Sequence, residues 1–324
     1  MLRRLGHTGL QVSPIGVGLA ALGRPGYITI GHRSDLAGSS VDHLRHATFA
    51  VLDAAMAGGV LYVDAARSYG QAEEFLAGWL EERAVAPGAV TIGTKWGYVY
   101  TANWSADAKV NEVKDHSLGT LRRQLGESKA LLGSNLDLLQ AHSVTLDSPI
   151  LRSPELLDEL FRLRSEGVVR AIGLTLTGPK QGETLRAAMR LEHGGVRIFD
   201  TVQATFNVLE TSCAEALAEA HAAGFGVLVK ETLANGRLVR DKVAEEVQVN
   251  AAVLGATADA LAIAFVLEQP WADVVLIGPA TVSQLRSNLR ALDLQLDAPS
   301  RRALEALRES PEDYWRRRAA LPWQ

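Results

Sequence analysis

The sequence predicts an α/β fold, a (β/α)8 TIM barrel in a single domain, and three observations carry that prediction. Eight short apolar runs alternate with stretches of helical periodicity along the 324 residues. Most of these runs lack strict apolar–polar alternation, the pattern of strands covered on both faces. No linker rich in Pro, Gly or Ser divides the chain, and a closed α/β barrel uses this length as one domain. One barrel over residues 1–324 is therefore expected, rather than two domains or an open doubly wound sheet.

The elements follow in order. Residues 2–13 carry turn signals at Gly6 and Thr8–Gly9 and are expected to form an N-terminal β-hairpin capping the barrel bottom. Strands are expected at 15–19, 61–65, 90–95, 136–142, 169–174, 199–204, 226–230 and 273–278. Helical faces lie between them: Phe75, Leu76, Trp79 and Leu80; Leu118, Leu121 and Leu125; Leu156, Leu157, Leu160 and Phe161; Leu185, Ala188 and Met189; Leu217 and Ala218; Leu285, Leu289 and Leu292. Gly167, Gly194 and Gly224 follow three of them, where a left-handed residue stops a helix. The connections 24–40, 97–115 and 231–254 are too long for plain turns. All three follow strand carboxyl ends, the face where barrel enzymes place their sites.

Composition narrows the function. The chain is 47% hydrophobic and 22% charged, which excludes disorder. A formal charge of −4 weighs against nucleic acid and anionic membranes as partners. One cysteine, Cys213, rules out an internal disulfide and a thiolate metal cluster and fits a reducing compartment. No apolar leader follows the first basic residues, and no run of about 18 apolar residues exists. A cytoplasmic protein acting on a small molecule is expected, its oligomeric state open.

Polar residues at strand carboxyl ends are the site candidates. Asp64 ends the second strand, with Tyr69 in the turn after it. Lys95 ends the third strand and His142 the fourth. Singly, each has a plain structural reading: a turn cap, a packing aromatic, a solvated edge charge, a core histidine. Together at consecutive strand ends they read as chemistry. A phenol with pKa near 10 is a poor acid at neutrality, and a nearby ammonium lowers that pKa. A carboxylate aims the lysine, and an imidazole orients a substrate oxygen. The sum is a general acid for an oxygen that gains charge on reduction.

Other motifs are weaker. GVGLAALG lacks the G-x-G-x-x-G spacing, and neither a G-x-S-x-G elbow nor a phosphate-loop lysine occurs. His32, His43 and His46 have no acidic cluster beside them, so no metal site is expected. Cys213 reads as buried helix packing. The segment YWRRRAALPWQ carries Trp315, Arg316, Arg317, Arg318 and Trp323, either a solvated tail or a flap over the site.

The chain resembles the aldo-keto reductase superfamily over nearly its whole length. The likeness lies in LGHTGLQVSPIGVGLAALG, YVDAARSYGQAEEFLAGWL, TKWG, LLQAHS, VRAIGLT, VQATFN and VVLIGPATVSQLRSNL, in that order. It implies NAD(P)H-dependent interconversion of a carbonyl and an alcohol. Tyr69 would be the general acid or base, Lys95 its partner, Asp64 the holder of Lys95, and His142 the residue orienting the carbonyl. Thr175 and Gln203 would hold the nicotinamide carboxamide, with Asn207 just beyond. Gly278, Pro279 and Gln284 would meet the adenosine phosphates, and Asn288 the adenine. Lys230 and Arg237 are further cofactor candidates, and Trp96 and Tyr98 substrate candidates. The family favours NADPH, with NADH as the other option. This chain departs from the usual pattern at Leu176, at Lys230–Glu231 and at Ser287.

Two alternatives stay open. A polar pocket of Tyr98, Tyr100, Asn103 and Asn235 would suit an NAD-dependent sugar dehydrogenase, while Trp96 and Trp104 would suit a flat or apolar substrate. The departures at Leu176 and Lys230 also allow a nucleotide-binding regulatory subunit with slow turnover.

Overall fold

The computed structural model describes residues 2–324. Eight parallel strands close into a barrel: β1 (Ile15–Gly18), β2 (Tyr62–Asp64), β3 (Thr91–Trp96), β4 (Leu136–Val144), β5 (Ala171–Leu176), β6 (Thr201–Thr205), β7 (Gly226–Lys230) and β8 (Val274–Ile277). Each pairs with its neighbours in sequence, and β8 closes on β1 with Val275 opposite Ile15. The single-barrel expectation holds.

Helices α1 (Val41–Ala57), α2 (Ala72–Glu82), α3 (Leu118–Leu132), α4 (Pro154–Ser165), α5 (Gln181–Met189), α6 (Ala214–Ala222), α7 (Val243–Val253), α8 (Ala258–Leu267) and α9 (Val282–Leu289) come between or after the strands. Helices α10 (Ala298–Glu305) and α11 (Pro311–Ala319) follow. Several begin on a side-chain cap: Ser40, Ser117, Ser153 and Thr281 each accept a backbone N–H three residues on, satisfying a donor the helix itself cannot. No single helix among the described residues is long and apolar enough to cross a membrane. The apolar helix α8 is buried from Ala260 to Val266 within the fold.

Strand alternation sorts the side chains. Ile15, Val17, Ile92, Leu139, Ile172, Val202, Val275 and Ile277 belong to the large core between barrel and helices. Tyr62, Leu138, Ala171, Leu228, Val274 and Leu276 form a separate cluster with Leu5, Leu10 and Val12. Those last three come from the N-terminal hairpin, where Arg3–Arg4 pairs antiparallel with Gln11–Val12. The hairpin thus plugs the barrel bottom, as expected. Tyr62 fills the middle. At Gly93 a Cβ would lie 2.3 Å from the Tyr62 hydroxyl, so β3 needs glycine there.

Three differences from the sequence reading have local causes. Strand β5 lies two residues later than expected. Strand β4 runs on to Val144 through a register shift between Ala141 and Val144. The connection 231–254 is largely helical, holding the short helix Arg237–Arg240 and α7.

Candidate active site

The site is built where the barrel interior turns polar. Lys95 on β3 and Asp64 on β2 point inward from adjacent strands. Lys95 Nζ donates to Asp64 Oδ2 in close contact and to Ala65 O at 2.9 Å. Asp64 Oδ1 accepts from Gln203 Nε2 at 3.1 Å, Gln140 Nε2 at 3.2 Å and Tyr62 Oη at 3.3 Å. Both members of the pair are buried. A buried ion pair is tolerated when its remaining lone pairs and protons find partners, and here Asp64 Oδ1 and two of the three Lys95 protons have them.

Tyr69 lies in the turn after β2. At Gly23 a Cβ would come 2.2 Å from Tyr69 O, so glycine lets the first connection press against this turn. Gly23 O then accepts from Gln71 N at 2.7 Å. Lys95 Nζ is 4.6 Å from the Tyr69 ring centroid. His142 meets the Tyr69 ring edge-on at 5.6 Å and the Tyr98 ring at 5.0 Å. The register shift in β4 falls at His142–Ser143, and Ser143 takes a left-handed φ of 56°. Such bulges re-aim side chains.

The electrostatics correct one expectation. Tyr69 is not acidified overall. Burial pushes the phenol well above its usual 10, the Asp64 carboxylate pushes it further, and Arg24 opposes them. The main cause is burial of the phenol, and the Asp64 carboxylate offsets the pull of the Lys95 ammonium it holds. His142 is held well below 6.5, first by burial and then by Lys95, Lys230 and Arg24. Its imidazole is neutral at working pH, and its Nδ1 has no hydrogen-bond partner.

These groups open on a cavity of about 600 Å³. Asp64, Tyr69, Tyr98, His142, Gln203, Lys230, Gly278, Pro279, Gln284 and Asn288 all lie on its wall, so most of the residues singled out from sequence are brought together. Gln284 Oε1 accepts from Ala280 N at 2.8 Å, and Asn288 Nδ2 donates to Asp259 at 2.7 Å. Lys230 Nζ donates to Thr205 Oγ1 at 2.8 Å and lies 3.8 Å from Glu231. Burial takes its ammonium down to about 8. Burial alone would raise Glu231, but Arg318 and Lys230 hold it down to about 2.

Five candidates are not on the wall, Lys95 among them, which reaches it only through Asp64. Trp96 is buried beside His116 on the outer face of β3, because one residue after inward-facing Lys95 the strand faces the helices. It is no substrate contact. Arg237 is spent on Glu309, with Nη2 to Oε1 at 2.6 Å, so it is not a free cofactor cation. The Thr175 hydroxyl accepts from Ser143 N at 2.7 Å and supports Ser143, which does line the cavity. Asn207 is buried and engaged by Glu231 O, Tyr314 and the backbone at 209–210. Leu176 also faces the outer core, so that departure leaves the wall unchanged. Trp104, Tyr100 and Asn103 lie off the wall, whereas Asn235 is on it.

Sequence reasoning missed several wall residues: Arg24, Tyr27, Glu112 and Asp259. Arg24 sits in the first long connection, which length alone marked as functional. The closing segment acts as a flap. Tyr27 and Gln324 exchange backbone hydrogen bonds at 3.0 and 3.1 Å, and Arg318 and Trp323 line the cavity. His32 is on the wall as well, apart from any metal cluster. No group of three or more His, Cys, Asp or Glu that could hold a metal ion occurs among the described residues. Cys213 is buried, with Sγ donating to Thr205 O at 3.2 Å.

Comparison with known proteins agrees with this fold. A family model described as the aldo/keto reductase family matches residues 15–309. The Bacillus subtilis (strain 168) protein named uncharacterized oxidoreductase YrpG is 25% identical, over 96% of this chain and 98% of its own. Protein tas of Escherichia coli (strain K12) is 24% identical over 94% and 97%. The aldo-keto reductase AKR11C1 of Bacillus halodurans, in its holo form, superposes with a TM-score of 0.70. That match covers 95% of this chain and 96% of the other at 22% identity, a likeness of fold.

Proposed function

The chain belongs to the aldo/keto reductase family, and on that premise we propose that it interconverts a carbonyl and an alcohol using a nicotinamide dinucleotide. One observation carries this reading: Tyr69, His142 and the Lys95–Asp64 pair gather at one part of the cavity whose wall continues to Gly278, Gln284 and Asn288.

When bound, the nicotinamide supplies or accepts the hydride. The side chains do the rest. Tyr69 stays protonated at neutral pH and gives its proton to the carbonyl oxygen. Neutral His142 hydrogen-bonds that oxygen and fixes its direction. As Tyr69 becomes phenolate, the Lys95 ammonium beside its ring stabilises the new charge, a gain absent while the phenol is neutral. Alcohol oxidation uses the same groups in reverse.

The wall fits such a cofactor. Its volume lies in the usual range for ligand sites, about 300–1,000 Å³. His142 Nδ1, His32 Nε2 and Asn235 Oδ1 are buried there without partners, and a Cβ at Gly278 would meet nothing within 4 Å. Gly278, Pro279 and Gln284 would hold phosphate, Asn288 the adenine, and Gln203 the carboxamide, while Thr175 would act through Ser143. Lys230 would approach the nicotinamide as a cation where an aromatic is usual. NADPH is the family expectation. Near Asn288, however, the wall presents Asp259, and Arg240 is taken up by Asp35 and Gly31 O. An acidic residue suits a ribose hydroxyl better than a 2′-phosphate, so NADH is expected to compete.

A second reading, an NAD-dependent sugar dehydrogenase, draws on Tyr98 and Asn235 remaining on the wall while Trp96 and Trp104 leave it. The test is titration with NADH and NADPH followed by tryptophan fluorescence, then a screen of aldehydes, ketones and sugars at the nicotinamide absorbance band. Micromolar binding with turnover supports the proposal. Binding of neither dinucleotide overturns it.

A further inference from the structure

Resting on the reading above, we propose that Arg24 recognises a carboxylate on the substrate. The compound reduced is then an oxo acid, with its charged end on Arg24 and its carbonyl at Tyr69.

Arg24 is 2% exposed, yet it lies on the cavity wall. Its guanidinium carbon is 5.2 Å from the Tyr69 ring centroid, 4.7 Å from Trp323 and 5.7 Å from Tyr27. Three aromatic rings therefore hold it beside the proton donor. The protein satisfies only one of its nitrogens: Nη1 donates to Ser68 O at 2.8 Å and to Glu112 at 2.9 Å. Nε is buried without a partner, and no hydrogen bond from Nη2 occurs among the described residues. A guanidinium carries five N–H donors. Three of them, on Nε and Nη2, are left over, and two of these lie side by side on the Nε–Nη2 edge. That edge is a fork matched to a planar carboxylate, and leaving buried donors unmet is costly.

The charge count points the same way. Lys95 pairs with Asp64, Arg318 with Glu231 and Arg24 with Glu112. Lys230 is a fourth, half-buried cation, and the carboxylate nearest to it, Glu231 at 3.8 Å, is already gripped by Arg318. Asp35 and Asp259 also lie on the wall, but among these groups four cations meet three carboxylates, and Lys230 is left without one of its own. A substrate carboxylate fills that place. A cofactor pyrophosphate is the other source of that chemistry, and the test separates them.

The full chain, with dinucleotide present, is titrated with 4-(hydroxymethyl)benzoate and with the uncharged amide of the same skeleton. Arg24→Gln and Arg24→Lys are titrated likewise. The acid is expected to bind about tenfold tighter than the amide. Arg24→Gln should erase that difference, and Arg24→Lys should restore part of it. In turnover, 4-carboxybenzaldehyde should exceed its methyl ester by a similar factor in kcat/KM, mainly through KM. Equal binding of acid and amide by the unaltered chain overturns the proposal without needing a folded variant, and leaves the reductase reading standing. A loss of dinucleotide affinity in Arg24→Gln with the acid preference intact assigns the anion to the cofactor and also overturns it. Failure of the unaltered chain to bind either dinucleotide overturns both readings.

Discussion

Below Tyr62 the barrel interior is hydrocarbon, with Leu138, Ala171, Leu228 and Val274 packed on Leu5, Leu10 and Val12 of the hairpin. Above Tyr62 the same inward rows carry Asp64, Lys95, Gln140, His142 and Gln203. Both halves are buried and belong to the same strands. They differ in what satisfies them. The lower half needs only close packing. The upper half needs partners for its polar groups, and His142 Nδ1, which has none, borders the cavity. Two residues of strand thus carry the molecule from a region that sustains the fold to one that sustains chemistry.

That contrast is breakable at both ends. The largest effect is expected at Lys95→Ala in the upper half. It removes the cation beside Tyr69, with a fall in kcat of about 10²–10⁴, and strands Asp64 as a buried carboxylate, costing about 3–5 kcal/mol. Steady-state turnover and denaturant titration read the two losses separately. In the lower half, Leu10→Ala should cost about 2–5 kcal/mol of stability while kcat stays within about twofold of the unaltered chain. A kcat loss as large as that of Lys95→Ala would dissolve the division between the halves.

A smaller effect concerns pH. Burial lowers His32 and His116 to about 4 and His142 well below 6.5. The unfolded chain therefore binds protons first, and stability falls as pH drops from 6.5 toward 4. Tm measured across that window should decline, and His116→Gln should flatten the decline. The smallest effect is expected at Gln284→Ala, which frees Ala280 N at a cost of about 1 kcal/mol. It should weaken dinucleotide binding several-fold and lower the unfolding free energy by no more than that cost.

The barrel was legible because buried parallel strands write long apolar runs, and Asp64, Lys95 and His142 stood out as polar residues ending them. Trp96 was placed on the wall from its position beside Lys95, but adjacent residues of a strand face opposite sides, and Lys95 faces inward. Arg237 was misread because Glu309, which binds it, lies 72 residues away, and no local pattern announces that pairing. Arg24, Asp259 and the flap reach the cavity from connections whose shapes depend on tertiary contacts such as Tyr27 with Gln324. The effect of Asp64 on Tyr69 needed coordinates too, since spacing names the charges but not how far each cancels the next.

The most direct test of the central claim is turnover by Tyr69→Phe. The account predicts a fall in kcat of about 10²–10⁴ with dinucleotide affinity within about threefold of the unaltered chain, since only a proton donor is lost. Full turnover by Tyr69→Phe would contradict the account and remove Tyr69 from the chemistry.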